Sequence, residues 1–221
     1  MDFLRVRLQA PGERLGELRD FYEGTLGIEG LRVGPAVLEF VAASGEPFYH
    51  FAFLAPGDRF EAALAWARKR VELLPGGDVD EVVFDFDNWN ALACYFLDPA
   101  GNIVELIAHR GIGEEGATGE FRASELLGFS ELGLVGDPPA MAAELRELGL
   151  ELWDGELGEQ GRLAFIGERA RVLILSPEGR GWLPTDRSAE PWPVEAVLSG
   201  ISGREILVGG VHRIAAHAAE E

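Results

Sequence analysis

The 221-residue chain has a single cysteine, two methionines and four histidines, and only 19 basic residues against 38 acidic ones. One cysteine cannot close an internal disulfide, which excludes an oxidised, disulfide-stapled scaffold. Long apolar runs are also missing. The longest stretch free of Asp, Glu, Lys and Arg is Pro47 to Gly57, eleven residues, whereas a membrane-spanning helix needs roughly 20. The opening MDFLRVRLQ is charged from its second residue and lacks the apolar core of a secretory signal. The shortage of positive charge leaves a formal net charge of −19, which repels phosphate backbones and anionic lipid surfaces. A cytoplasmic, acidic, globular protein with no nucleic-acid or membrane partner is therefore expected. The acidity is spread evenly, −8 over residues 1–110 and −11 over residues 111–221, so it reads as a solvated surface and not as an acidic tail.

What the sequence does have is 47% hydrophobic residues, ample for a core, and an internal repeat. RVRLQAPGERLGEL, from Arg5, aligns with HFAFLAPGDRFEAAL, from His50, at an offset of 45 residues. A fainter copy, ELGLVGDPPAMAAELRELG, begins at Glu131, 81 residues beyond His50. Each copy starts as a short apolar strand that breaks at Pro/Gly or Asp-Pro. Helical spacing of apolar residues follows: Leu15, Leu18, Phe21, Tyr22 and Leu26, then Phe60, Leu64, Ala67 and Val71, then Met141, Leu145 and Leu148. Strand patterns come next, at Leu31–Val33 and Ala36–Ala42, at Glu81–Phe86 and Ala91–Ala108, and at Leu150–Trp153 and Arg162–Leu175. Asp98-Pro99-Ala100-Gly101-Asn102 and Ser176-Pro177-Glu178-Gly179-Arg180 match as hairpin turns. The unit is thus a strand, a helix and about three strands, three times over, and such sheets should pack in pairs. Gly111–Gly119 is the linker candidate.

Few residues carry chemistry. His50 lies in the second copy's first strand, on the face shared by Phe48 and Ala52. Glu105 interrupts the apolar run Ile103 to Ala108, and Glu39 stands at the matching place in Val37 to Ala42. A charged group in such a strand is costly to bury unless it is paired or binds a metal. If copies one and two pair about a local two-fold axis, Arg5, Glu39, His50 and Glu105 converge. Imidazole plus carboxylates suits Fe(II), Mn(II), Zn(II), Ni(II) or Co(II). Cys94, in an apolar strand, reads as an inert buried thiol, and His109 as a loop or surface residue. Trp89 fits either a ligand pocket or a turn packed on the sheet.

FYEGTLGI (21–28), FYHFAFLAP (48–56) and YFLDPAGNIVELIA (95–108) resemble the vicinal oxygen chelate superfamily. That group includes glyoxalases, extradiol dioxygenases, fosfomycin-resistance thiol transferases and bleomycin-binding proteins. The resemblance covers residues 1–110 best and 120–185 through the shared grammar alone. It implies an α+β fold of tandem βαβββ modules whose curved mixed sheets enclose a cavity. Residues 1–112 would form a module pair holding a divalent metal, and residues 118–221 a third, degenerate module with a C-terminal segment. That segment (Val194–Ile214) or another chain would cover the third sheet, so a homodimer is one outcome. By resemblance His50 and Glu105 are metal ligands, with Arg5 where a second histidine is expected. Arginine does not ligate a cation, so Glu39 would complete the set, Glu39 or Glu105 would serve as base, and Arg5 or Arg7 would hold a substrate anion. In copy three the equivalents are Glu131 and Leu183, which implies no metal site there. Isomerisation, dioxygenation and thiol addition of a small oxygen-bearing substrate all remain open, as does metal-free drug sequestration.

Overall fold

In all three copies the first strand gives way to a helix where the sequence breaks at proline or Asp-Pro. The computed structural model describes residues 1–76, 81–157, 162–201 and 205–217. The first copy comprises β1 (Asp2–Pro11), α1 (Leu15–Arg19, continued by a wider helical turn over Asp20–Thr25), β2 (Arg32–Val33) and β3 (Ala36–Ala43). The second comprises β4 (His50–Ala55), α2 (Phe60–Arg68), β5 (Phe84–Phe86), β6 (Ala91–Leu97) and β7 (Ile103–His109). The third comprises β8 (Gly128–Gly136), α3 (Pro138–Arg146), β9 (Leu152–Gly155), β10 (Ala164–Glu168) and β11 (Arg171–Pro177). A short ribbon, β12 (Gly181–Trp182) and β13 (Arg187–Ser188), leads into β14 (Val194–Ser199), β15 (Glu205–Val208) and β16 (His212–His217). Asp137 caps α3 by accepting from the Ala140 amide at 3.3 Å. Among the described residues no helix is long and apolar enough to cross a membrane.

The architecture is the mixed α+β arrangement of βαβββ modules in curled sheets, but the pairing differs from the expected one. An eight-stranded sheet runs β5-β6-β7-β4-β8-β11-β10-β9, and a six-stranded sheet runs β15-β16-β14-β1-β3-β2. Copy two therefore shares its sheet with copy three, through the antiparallel β4–β8 pair that places Ala52 opposite Glu131. Copy one is joined by the C-terminal strands, with β14 antiparallel to β1. The strands β14, β15 and β16 make in effect a further, abbreviated unit with no helix among its described residues. The expected pairing of copies one and two within residues 1–112 is corrected accordingly. The repeat revealed which segments are alike without revealing which edges meet.

The main core lies between the two sheets. Phe51, Phe53 and Phe129 of the larger sheet meet Phe3, Val6 and Leu8 of the smaller, with Tyr22 wedged beside Phe53. Each such side chain contributes about 1.5–3 kcal/mol by leaving water. A smaller apolar cluster fills the concave side of the larger sheet and includes Phe48, Ala52, Ile107, Ile174 and Trp182. Every residue of β4 is buried because both faces of this strand are covered. The smaller sheet has a two-residue outer strand on one side, and the polar face of β1 is only half-buried.

The turn before Glu105 is held by one carboxylate. Asp98 is buried and accepts from Tyr22 Oη (2.8 Å), the Ala100 and Asn102 amides (2.9 and 3.0 Å) and Asn102 Nδ2 (2.7 Å). Asn102 in turn accepts from the Tyr49 amide at 2.8 Å, which fixes β7 against the start of β4. Removing the acceptor leaves several buried donors unsatisfied. Asp98→Ala should lower unfolding free energy by about 2–4 kcal/mol and Tyr22→Phe by about 1 kcal/mol, read by urea denaturation. Equal effects for the two variants would contradict this account.

Candidate metal centre

His50 opens β4 with its side chain on the concave face, because its neighbours Phe51 and Phe53 take the core face. Its Nδ1 bonds to the Ile103 carbonyl at 3.1 Å, which leaves Nε2 free to face the cup. Ala52, two residues on, is flanked by Glu105 in β7 and by Glu131 in β8. The small side chain between them lets both carboxylates approach the imidazole. Nε2 stands 3.5 Å from Glu105 Oε2 and 3.9 Å from Glu131 Oε2. One donor atom from each of the three residues lies within 4.8 Å of the others, and all three are buried.

Their protonation follows from burial. Desolvation pulls the His50 imidazole down to about 4, partly opposed by the Ile103 carbonyl. Burial pushes the Glu131 carboxyl up to about 8. Burial, with the charge of Glu131 behind it, holds Glu105 well above the ordinary carboxylate range, and hydrogen bonding by Tyr95 pulls it part of the way back. Among the described residues no lysine or arginine lies within ion-pairing distance of either carboxylate. A neutral imidazole and two carboxyl groups that burial holds protonated are a donor set that a divalent cation would fit, displacing the carboxyl protons on binding.

The surrounding cavity measures about 90 Å³ and is lined by His50, Glu105, Glu131 and Tyr95 together with the apolar side chains of Phe86, Trp89, Leu163, Phe165, Ile174, Trp182 and Leu183. A water needs about 10–15 Å³ by a comparable measure, so there is room for a cation and a few ligand atoms. The two ends of the eight-stranded sheet meet over this space. Trp89, from the turn after β5, donates to Asp154 of β9 and packs edge-on against Phe165 of β10 at 4.6 Å. Arg169 donates to the Trp89 and Arg110 carbonyls at 3.3 and 2.7 Å. Trp89 meets both readings, packing from its turn on the sheet's aromatic side chains and lining the cavity.

His50 and Glu105 come together as the sequence suggested. Glu39 does not join them: it lies in the other sheet, accepting from Arg7 Nε at 2.7 Å. Arg5 and Arg7 sit on β1 of that sheet and do not line the cavity. Glu131 takes the third place. The offset of 81 aligns it with His50, but the pairing expected from the sequence joins copies one and two, whereas the partner edge belongs to copy three. Leu183 is not the counterpart of Glu105. The 176–180 turn follows β11 and does not precede it, and register makes Ile174, opposite Gly133, the counterpart of Glu105, opposite Ala52. His109 is buried at the end of β7, stacked 6.1 Å from Trp89, because the strand extends further under the aromatic clasp than its sequence suggested. Cys94 is buried as expected.

Two solved structures share the fold. A candidate dioxygenase from Bacillus subtilis subsp. subtilis str. 168 superposes with a TM-score of 0.60 at 15% identity, over 98% of this chain and 85% of that one. A single-residue variant of glyoxalase I from Zea mays superposes with a TM-score of 0.53 at 15% identity, over 89% and 75%. No protein-family model matches the chain, and no curated protein sequence does.

Metal-free protein should lose stability as pH rises from 6.5 to 8.5. The folded state keeps Glu131 protonated up to about 8, while the unfolded carboxyl releases its proton near 4.5. That contribution is complete below 4.5 and disappears as pH climbs through about 8. The opposite effect of His50, whose folded value is about 4, is spent once pH exceeds 6.5. Melting temperatures of chelator-treated protein should fall across that interval, and Glu131→Gln should flatten the fall. A flat profile in the unsubstituted protein would mean that the pair is neutralised by something else.

Proposed function

We propose that this chain is a metal-dependent enzyme of the glyoxalase/dioxygenase type, acting on a small oxygen-bearing molecule. The observation that carries this reading is the buried triad His50, Glu105 and Glu131, converging on one point with no lysine or arginine ion-paired to either carboxylate among the described residues. Fe(II), Mn(II), Co(II), Ni(II) and Zn(II) all suit one imidazole and two carboxylates. Bound there, the ion would polarise a substrate oxygen as a Lewis acid.

The protein's own contributions follow from the geometry. His50 is held neutral, with Nε2 presented to the cup by the Nδ1 bond to Ile103. Ile174 puts an alkyl side chain where the local symmetry offers the counterpart of Glu105, so that position supplies no ligand and is left to substrate. Trp182, with its ring 5.0 Å from His50, and the Trp89–Phe165 clasp exclude water from that side. Glu105, with Tyr95 opposite it on β6, would take a proton from substrate once released from the ion.

Untagged protein should carry about one equivalent of divalent metal by elemental analysis. His50→Ala and Glu131→Gln should each abolish it, and Glu39→Gln should leave it unchanged. A chain that takes up no divalent ion from any of the five metals would instead favour ligand sequestration without catalysis.

A further inference from the structure

The concave face of the six-stranded sheet repeats the metal-centre face position by position. In the larger sheet Ala52 stands between Glu105, on the parallel neighbour β7, and Glu131, on the antiparallel neighbour β8. In the smaller sheet Arg7 stands between Glu39, on the parallel neighbour β3, and Glu195, on the antiparallel neighbour β14. Two residues upstream, on the same face, Arg5 matches His50. The two glutamates are therefore present in both clefts. What differs is the residue between them, a methyl group in one and a guanidinium in the other.

That guanidinium bonds both carboxylates. Arg7 Nε donates to Glu39 Oε2 at 2.7 Å, and Arg7 Nη1 donates to Glu195 Oε2 at 3.1 Å. We propose that Arg7 is a built-in cation, bridging the carboxylate pair as a divalent ion would and closing a second, latent metal site. The inference rests on the proposed triad for the identity of the ligand positions. Guanidinium keeps its charge throughout the physiological range, so this cleft stays shut to cations while the larger sheet's cleft is open to them. Covering differs in parallel. The Arg7, Glu39 and Glu195 side chains are 34–39% exposed, because this sheet ends in the two-residue β2 and has no aromatic clasp.

The test exchanges the two differing positions. Arg5→His with Arg7→Ala reproduces the residues found at positions 50 and 52 and should create a second site. Cobalt(II) titration, read by visible absorption and elemental analysis, should rise from one to two equivalents per folded chain. The added equivalent should vanish when Glu195→Gln is introduced and persist when His50→Ala is introduced. A folded double variant that still takes one equivalent overturns the proposal. Arg7→Ala alone, a half-exposed change, gives a second measurement: cobalt uptake dependent on Glu195 is expected, and its absence also overturns the proposal. Should the unsubstituted chain take up none of the five divalent metals while the double variant binds one equivalent of cobalt through Glu195, the latent site stands and the proposed catalytic centre falls.

Discussion

Two glutamates buried side by side against one neutral imidazole set the terms for the rest of this molecule. Ionised carboxylates taken out of water cost several kcal/mol each unless a cation or strong donors compensate. Almost everything around the triad bears on that cost. Ala52 supplies the space, the Ile103 carbonyl fixes the imidazole tautomer, and Asp98 and Asn102 lock the turn that delivers Glu105. The clasp and Trp182 then seal the result from solvent. A fold that only needed stability would place aliphatic side chains at these positions, as it does at Ile174.

The two sheets show one constellation resolved in two ways. In the larger sheet strands continue outward on both sides, curl over the cup and meet at Trp89 and Phe165. The carboxylates there are buried and await an external ion. In the smaller sheet the outer strands are short or missing, the cup stays open, and the charge is balanced by a side chain from the central strand. The length of the outer strands thus decides how far each face is closed, and the residue between the glutamates decides whether the cation comes from the chain itself.

Much of this was legible in the sequence. Periodicity and the Pro/Gly breaks located the strands and helices of three copies, and His50 and Glu105 stood out as polar residues in apolar strands. Two things were hidden for physical reasons. Strand pairing is a property of edges, and nothing in the β4 sequence says that it will meet β8 and not β1, so the repeat points to Glu39 where the structure has Glu131. The C-terminal unit does not show as a module in the sequence because it carries no strand-break-helix pattern, and the helix is half of the repeat's signature. The similar turns at 98–102 and 176–180 misled as well. Turn chemistry recurs wherever a chain must reverse, and only register, through Gly133 and Ile174, aligns the third copy correctly.

The order in which segments join has a consequence for how the chain is assembled. The larger sheet is built wholly from residues 50–177, while the smaller joins strands from 2–43 to strands from 194–217. One sheet is nested inside the other along the chain, like inner and outer parentheses. Contacts in the outer pair span nearly the whole sequence and carry the largest loop-closure entropy. During synthesis from the N-terminus, β1 waits with one edge unpaired until β14 arrives, long after the strands bearing His50, Glu105 and Glu131 have all been made. The chemistry is placed in the part of the chain that can close first.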